Sequence, residues 1–155
     1  MNKWLALPLM LALNACSTTM DTEPATTPDP GPAKASTEVL VQSTHSWDGG
    51  DFSYPDGDAQ LTVVRIEIPA GVALPMHCHP VPLAGVLTKG VLEVDKESGE
   101  QITLDAGDGL IEVSNQWHRG RALEEVEIMV VYAGAEGIPV TVLKDGDSKH
   151  VAECF

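Results

Sequence analysis

The chain has 155 residues, three cysteines and a formal net charge of −14. That length fits one domain with a short appendage, and so acidic a chain has no basic surface to displace the counterions of a nucleic acid or to grip anionic lipid. Three cysteines are too few for a disulfide scaffold, and with only 3 Trp, 2 Tyr and 2 Phe the core must be mostly aliphatic.

Residues 1–15 read as a signal peptide. Lys3 precedes an apolar run of ten, Trp4 to Leu13, which is too short for a spanning helix of about 20 residues but has the length of a signal-peptide core. The run closes on Leu13-Asn14-Ala15-Cys16, which resembles the lipobox of bacterial lipoproteins. That resemblance implies acylation of Cys16 as the mature N-terminus. Ser17, a residue other than Asp, implies the outer membrane, with the body facing the periplasm. Membrane contact would then be through this anchor alone. Residues 16–37 carry Ser, Thr, Pro and Ala with four prolines and almost no large apolar side chain. Such a segment cannot bury enough surface to offset its ordering entropy, so it is expected to be an extended, disordered tether.

From residue 38 to 155 the pattern is that of short strands. Glu38 to Thr44 alternates, and so does Leu61 to Ile68, which ends at Pro69-Ala70-Gly71. Further strands are expected at 83–87, 91–94, 101–104, 110–113, 126–132 and 140–143, separated by turn residues such as Gly90, Ser98-Gly99 and Asp105 to Gly107. No stretch shows helical periodicity over eleven residues. The fold class is therefore all-β, a sandwich or small barrel.

The chemistry lies in the histidines. Residues i and i+2 of a strand share a face, so His77 and His79 project together and Cys78 opposite. A barrel can bring His118 to face that pair. Three neutral imidazoles suit iron, manganese, nickel, copper or zinc and leave positions open on the metal. If the Leu110 face of its strand looks inward, Glu112 enters the same cavity, as a displaced metal ligand or a general base. Gln116, two residues before His118, could follow it there.

The spacing Gly71, five residues, His77-x-His79, ten residues, Gly90 resembles the first motif of the cupin superfamily. In that motif a Glu normally follows the second His by four residues, and here that position is Leu83. Gly107, five residues, Val113-x-Asn115, two residues, His118 resembles the second motif, with Val113 at its Pro position, Asn115 at its Gly and Ala122 at its Asn. Asn tolerates positive φ and can keep the turn. The resemblance implies a single cupin jelly-roll β-barrel over 38–155 with one divalent transition metal held by His77, His79 and His118. It further implies a small-molecule ligand or substrate. The activity could be that of a dioxygenase, with Glu112 as the catalytic carboxylate. The alternatives are a non-catalytic binding module for a metal or small ligand, and a metal-free degenerate barrel. Oligomeric state stays open, a homodimer included.

Other residues receive structural readings. His45 and His150 are expected to be exposed and idle, Trp117 to pack, and Arg119 and Arg121 to pair with Glu124 and Glu125. Cys78 and Cys154 are expected to stay separate thiols, because a disulfide needs Cα atoms within about 7 Å and nothing in the sequence brings that strand to the tail.

Overall fold

The computed structural model describes residues 34–146 and Cys154. Among these, nine strands form in chain order: β1 (Ala59–Ile68), β2 (His77–Cys78), β3 (Leu83–Lys89), β4 (Val91–Lys96), β5 (Gln101–Asp105), β6 (Gly109–Ile111), β7 (His118–Ala122), β8 (Val126–Ala135) and β9 (Val142–Leu143). They make two antiparallel sheets, ordered β1-β8-β3-β6 and β5-β4-β7-β2-β9. This is the expected all-β jelly roll.

Period-two alternation explains which face of each strand is buried. On β8, Val126, Ile128, Val130 and Tyr132 point inward, and Leu92 and Val94 of β4 meet them from the other sheet. Leu87, Leu104 and Leu110 complete a core that is aliphatic apart from Tyr132. Two positions show why the turns need their residues. Gly90 closes the β3–β4 turn at φ 81°, and a Cβ there would run into the Glu125 carbonyl. Asn115 holds φ 56° just before β7, in the left-handed region that Asn enters more readily than most residues.

Two expectations are corrected, and one strand forms where none is expected. The alternating segment 38–44 forms no strand: it pairs with no sheet edge, and Val39 and Leu40 are exposed. Alternation alone does not make a strand when no neighbour offers a ladder to its backbone. Strand β7 reads His-Arg-Gly-Arg-Ala, and carries no apolar signal because its buried positions are His118, Gly120 and Ala122. Cys78 and Cys154 do pair, with Cα atoms 6.2 Å apart. The tail reaches Cys78 because β9 pairs with β2, Val142 lying opposite Cys78. The bridge then packs with Val142 and Trp117. The signal peptide, most of the tether and His150 lie outside the described residues.

The bridge closes a loop across 76 positions of sequence, which in the chain-entropy model contributes about 4 kcal/mol. A Cys16→Ser variant of the full chain is expected to show no free thiol when denatured without reductant. Its melting temperature is expected to fall by several degrees when dithiothreitol is added; two titratable thiols would contradict the pairing.

Candidate metal centre

A cavity of about 290 Å³ opens between the sheets, and His77, His79, His118 and Glu112 all line it. His77 and His118 reach it as directly opposed residues of β2 and β7. His79 follows one residue beyond β2, and its backbone carbonyl accepts from the Asn115 N–H at 2.9 Å. Cys78, between the two histidines, faces away into the cluster around the disulfide. The sequence therefore places the pair correctly even though the strand that carries it is only two residues long.

Each imidazole is held by one backbone carbonyl. The Nδ1 of His77 stands 2.7 Å from the Pro75 oxygen, that of His79 2.7 Å from the Val140 oxygen, and that of His118 2.8 Å from the Gln116 oxygen. A carbonyl only accepts, so the proton of each neutral ring sits on Nδ1 and the Nε2 lone pair is left free. The ring centroids are 4.6 to 4.9 Å apart, and one ligand atom from each ring falls within 4.8 Å of the others. Burial holds His77 and His118 below the usual imidazole range and His79 well below it. Charge on neighbouring rings adds to the effect at His77 and His79. All three are thus neutral near pH 7, the form that binds a metal.

The Nε2 of His118 is buried and has no hydrogen-bond partner. Leaving such an atom unsatisfied costs about 1–3 kcal/mol. A divalent cation at the centre of the three rings would remove that cost, and a borderline-soft transition metal fits an all-imidazole donor set. The residues present therefore fit the metal that the sequence resemblance implies.

Glu112 lies just beyond β6 and is 6% exposed. One of its oxygens, Oε1, accepts from the Trp47 indole N–H at 2.7 Å and from the Val113 N–H at 2.9 Å. The other, Oε2, stands 3.9 Å from His118 Nε2. Burial pushes this carboxyl up, against the two donors that favour its charged form. The Glu112 N–H meets the Leu83 carbonyl at 3.3 Å. The carboxylate therefore neighbours, from the adjacent chain segment, the place where the first motif usually carries its own Glu.

Trp47 escaped the sequence reading, and the Trp-Asp-Gly-Gly run at 47–50 was its one signal. Residues 45–51 form a strap, closed by the His45–Asp51 bridge and by Ser46 N–H to Gly50 O at 2.9 Å. Its Asp48 accepts from Lys96 Nζ at 2.6 Å and from Gln116 Nε2 at 3.2 Å. Burial alone would raise the Asp48 carboxyl. Lys96, Ser46 and the Gly50 N–H outweigh it and hold that carboxyl far below the usual range. Gln116 therefore does not enter the cavity, because Asp48 claims its side chain; what it gives the site is the carbonyl on His118. Arg119 and Arg121 also differ from expectation. They bond to Asp95 and Glu93, their direct partners across β4 and β7, on the outer face. Glu125 instead takes Lys89. His45 is half exposed beside Asp51, and Trp117 packs by the disulfide with Lys144 Nζ 5.8 Å from its ring centre.

Residues 64–132 match the family model described as Cupin domain. Among curated proteins no relative matches. Among solved structures, the chain is similar to the DMSP lyase DddQ from Ruegeria pomeroyi DSS-3, at 25% identity over 64% of this chain and 49% of the lyase, with a TM-score of 0.48. It is also similar to the salicylate 1,2-dioxygenase of Pseudoaminobacter salicylatoxidans, at 18% identity over 54% of this chain and 22% of that one, with a TM-score of 0.44. A cupin-2 domain containing protein from Shewanella frigidimarina shares 23% identity over 50% of this chain and 72% of its own, with a TM-score of 0.39. The chain spans about half the length of the lyase.

Proposed function

We propose that this cupin-fold chain holds one divalent transition metal (Fe, Mn, Ni, Cu or Zn) on His77, His79 and His118 and acts there on a small molecule. The observation that carries the reading is the buried, partnerless Nε2 of His118, facing two further imidazoles whose protons are committed to backbone carbonyls. A buried lone pair with no donor is costly unless a cation completes it.

The finer reading is an oxygenase. A bound redox-active metal would supply Lewis acidity and an electron source at the open coordination positions. The chain's own residues do the rest. The three carbonyl-fixed imidazoles keep the donor atoms in place, so little reorganisation is needed on loading. Leu83 and Leu110 exclude water on the side next to Glu112. Glu112 is anchored by Oε1 and presents Oε2 to the same space, where it can take a proton from a substrate group or return one.

Purified without an affinity tag, the protein is expected to retain close to one equivalent of one of these metals. His118→Ala is expected to weaken metal affinity at least tenfold, with the β-sheet circular dichroism unchanged. Oxygen uptake with the iron, manganese, nickel or copper form supports the oxygenase; zinc alone, with no uptake in any form, supports a binding module. Retention of no metal by the wild type would overturn the reading.

The same proposal includes an envelope location through acylated Cys16, supported by the apolar run that ends at Leu13-Asn14-Ala15-Cys16. Mass spectrometry of the mature N-terminus is expected to find Cys16 as the first residue, carrying acyl chains. An unmodified first residue at any other position would refute the anchor.

A further inference from the structure

The polar groups of the cavity are segregated. Its polar side chains are His77, His79, His118 and Glu112, with Tyr132 and Thr141 beside them. The Tyr132 ring lies 5.3 Å from that of His79, and the Thr141 hydroxyl 3.2 Å from His79 Nδ1. The two hydroxyl-bearing side chains are therefore gathered round the imidazole cluster. The rest of the wall is aliphatic, with Ile66, Ile68 and Ile128 from one sheet and Leu92 and Val94 from the other, and Leu74 between β1 and β2. Among the described lining residues there is no lysine, arginine, asparagine or glutamine.

The nearby cations are engaged elsewhere. Lys96 lies on the inward side of β4, two residues past Val94, but its ammonium bonds to Asp48 and Glu100. Arg119 and Arg121 leave β7 on the outer face, each on an acid of β4. An anionic group in the aliphatic part of the cavity would lose its water and meet no positive charge. It would also share the space with Glu112, in a chain of net charge −14 that opposes its approach.

We infer that the cavity takes a small molecule that offers the metal a single donor group and lays an uncharged, largely aliphatic body between the sheets. This rests on the metal reading above. A volume of about 290 Å³ packed to the density of a protein interior admits roughly ten non-hydrogen atoms. A molecule with a carboxylate on its tail is excluded by the same wall, since that group finds no partner there.

The experiment keeps the donor group constant and varies the tail. The full chain is loaded with zinc, and three hydroxamates are titrated calorimetrically: N-hydroxyacetamide, N-hydroxyhexanamide and N-hydroxysuccinamic acid. Each buried methylene is worth about fourfold in affinity. N-hydroxyhexanamide is expected to bind at least tenfold more tightly than N-hydroxyacetamide, and the acid-tailed compound no more tightly than N-hydroxyacetamide. Ile66→Phe, which occupies part of the aliphatic wall, is expected to reduce the gain from the pentyl tail. If that variant does not fold, the wild-type ranking decides. An acid tail that binds as well as the pentyl tail, or three equal affinities, would overturn the inference while leaving the metal site intact. A direct zinc titration separates the two: failure to bind zinc at all would overturn the metal reading and this inference with it.

Discussion

Three hydrogen bonds from imidazole Nδ1 atoms to backbone carbonyls govern the rest of the site. Two of them are local, His77 to Pro75 and His118 to Gln116, and the third joins His79 to Val140 across 61 positions, so each ring is oriented within its own segment and the three face one another once β2 is paired on both sides. Strand β2 meets β7 through His77 and His118, and β9 through His77 with Leu143 and Cys78 with Val142. A two-residue strand forms few ladder bonds of its own. The Cys78–Cys154 bridge therefore ties the metal-facing strand to the end of the chain. One residue, Cys78, turns its backbone to the ladder and its side chain to the far side of the sheet, which leaves the cavity side to its two neighbours.

The strap at 45–51 adds a second layer of support. Trp47 fixes one oxygen of Glu112, and Asp48 holds the side chain of the residue whose carbonyl orients His118. Two shielded carboxyls, Asp48 within the strap and Glu112 bonded to the adjacent Trp47, thus behave in opposite ways. Asp48, beside Lys96, is stabilised as the anion, whereas Glu112, surrounded by Leu and Val side chains with two neutral donors, is pushed toward its protonated form. The contrast follows from partners: an ammonium joined by a hydroxyl and an N–H outweighs desolvation at Asp48, and two neutral N–H groups do not at Glu112.

Most of the fold was legible where alternation and pairing agree. In 126–132 every second residue is apolar and faces inward, and in 61–68 Val64, Ile66 and Ile68 do the same while Leu61 and Val63 stay exposed on the other face. The histidines were legible from spacing alone, since His77 and His79 share a face whatever the strand's length and His118 follows a turn that Asn115 can hold. Glu112 was legible as the residue two along from Leu110. What was not legible depends on contacts distant in sequence. The segment 38–44 has a strand's pattern without a strand's partner. Strand β7 hides its buried face behind His, Gly and Ala. The disulfide needed the β2–β9 pairing, and Trp47 needed a contact across 65 positions. Arg119 and Arg121 took cross-strand acids rather than the acids next in sequence, because direct opposition on a ladder brings side chains closer than a turn does.

Nitrogen-15 NMR of the imidazoles tests the central claim most directly. In metal-free protein at neutral pH or above, His77, His79 and His118 are expected to be neutral Nδ1–H tautomers with three unprotonated Nε2 atoms. Burial keeps their proton affinity below that of a free ring, whose pKa is about 6.5. Addition of one equivalent of zinc is expected to shift those three Nε2 resonances and leave the Nδ1–H signals in place. Charged rings, Nε2–H tautomers, or a zinc response confined to His45 and His150 would contradict it.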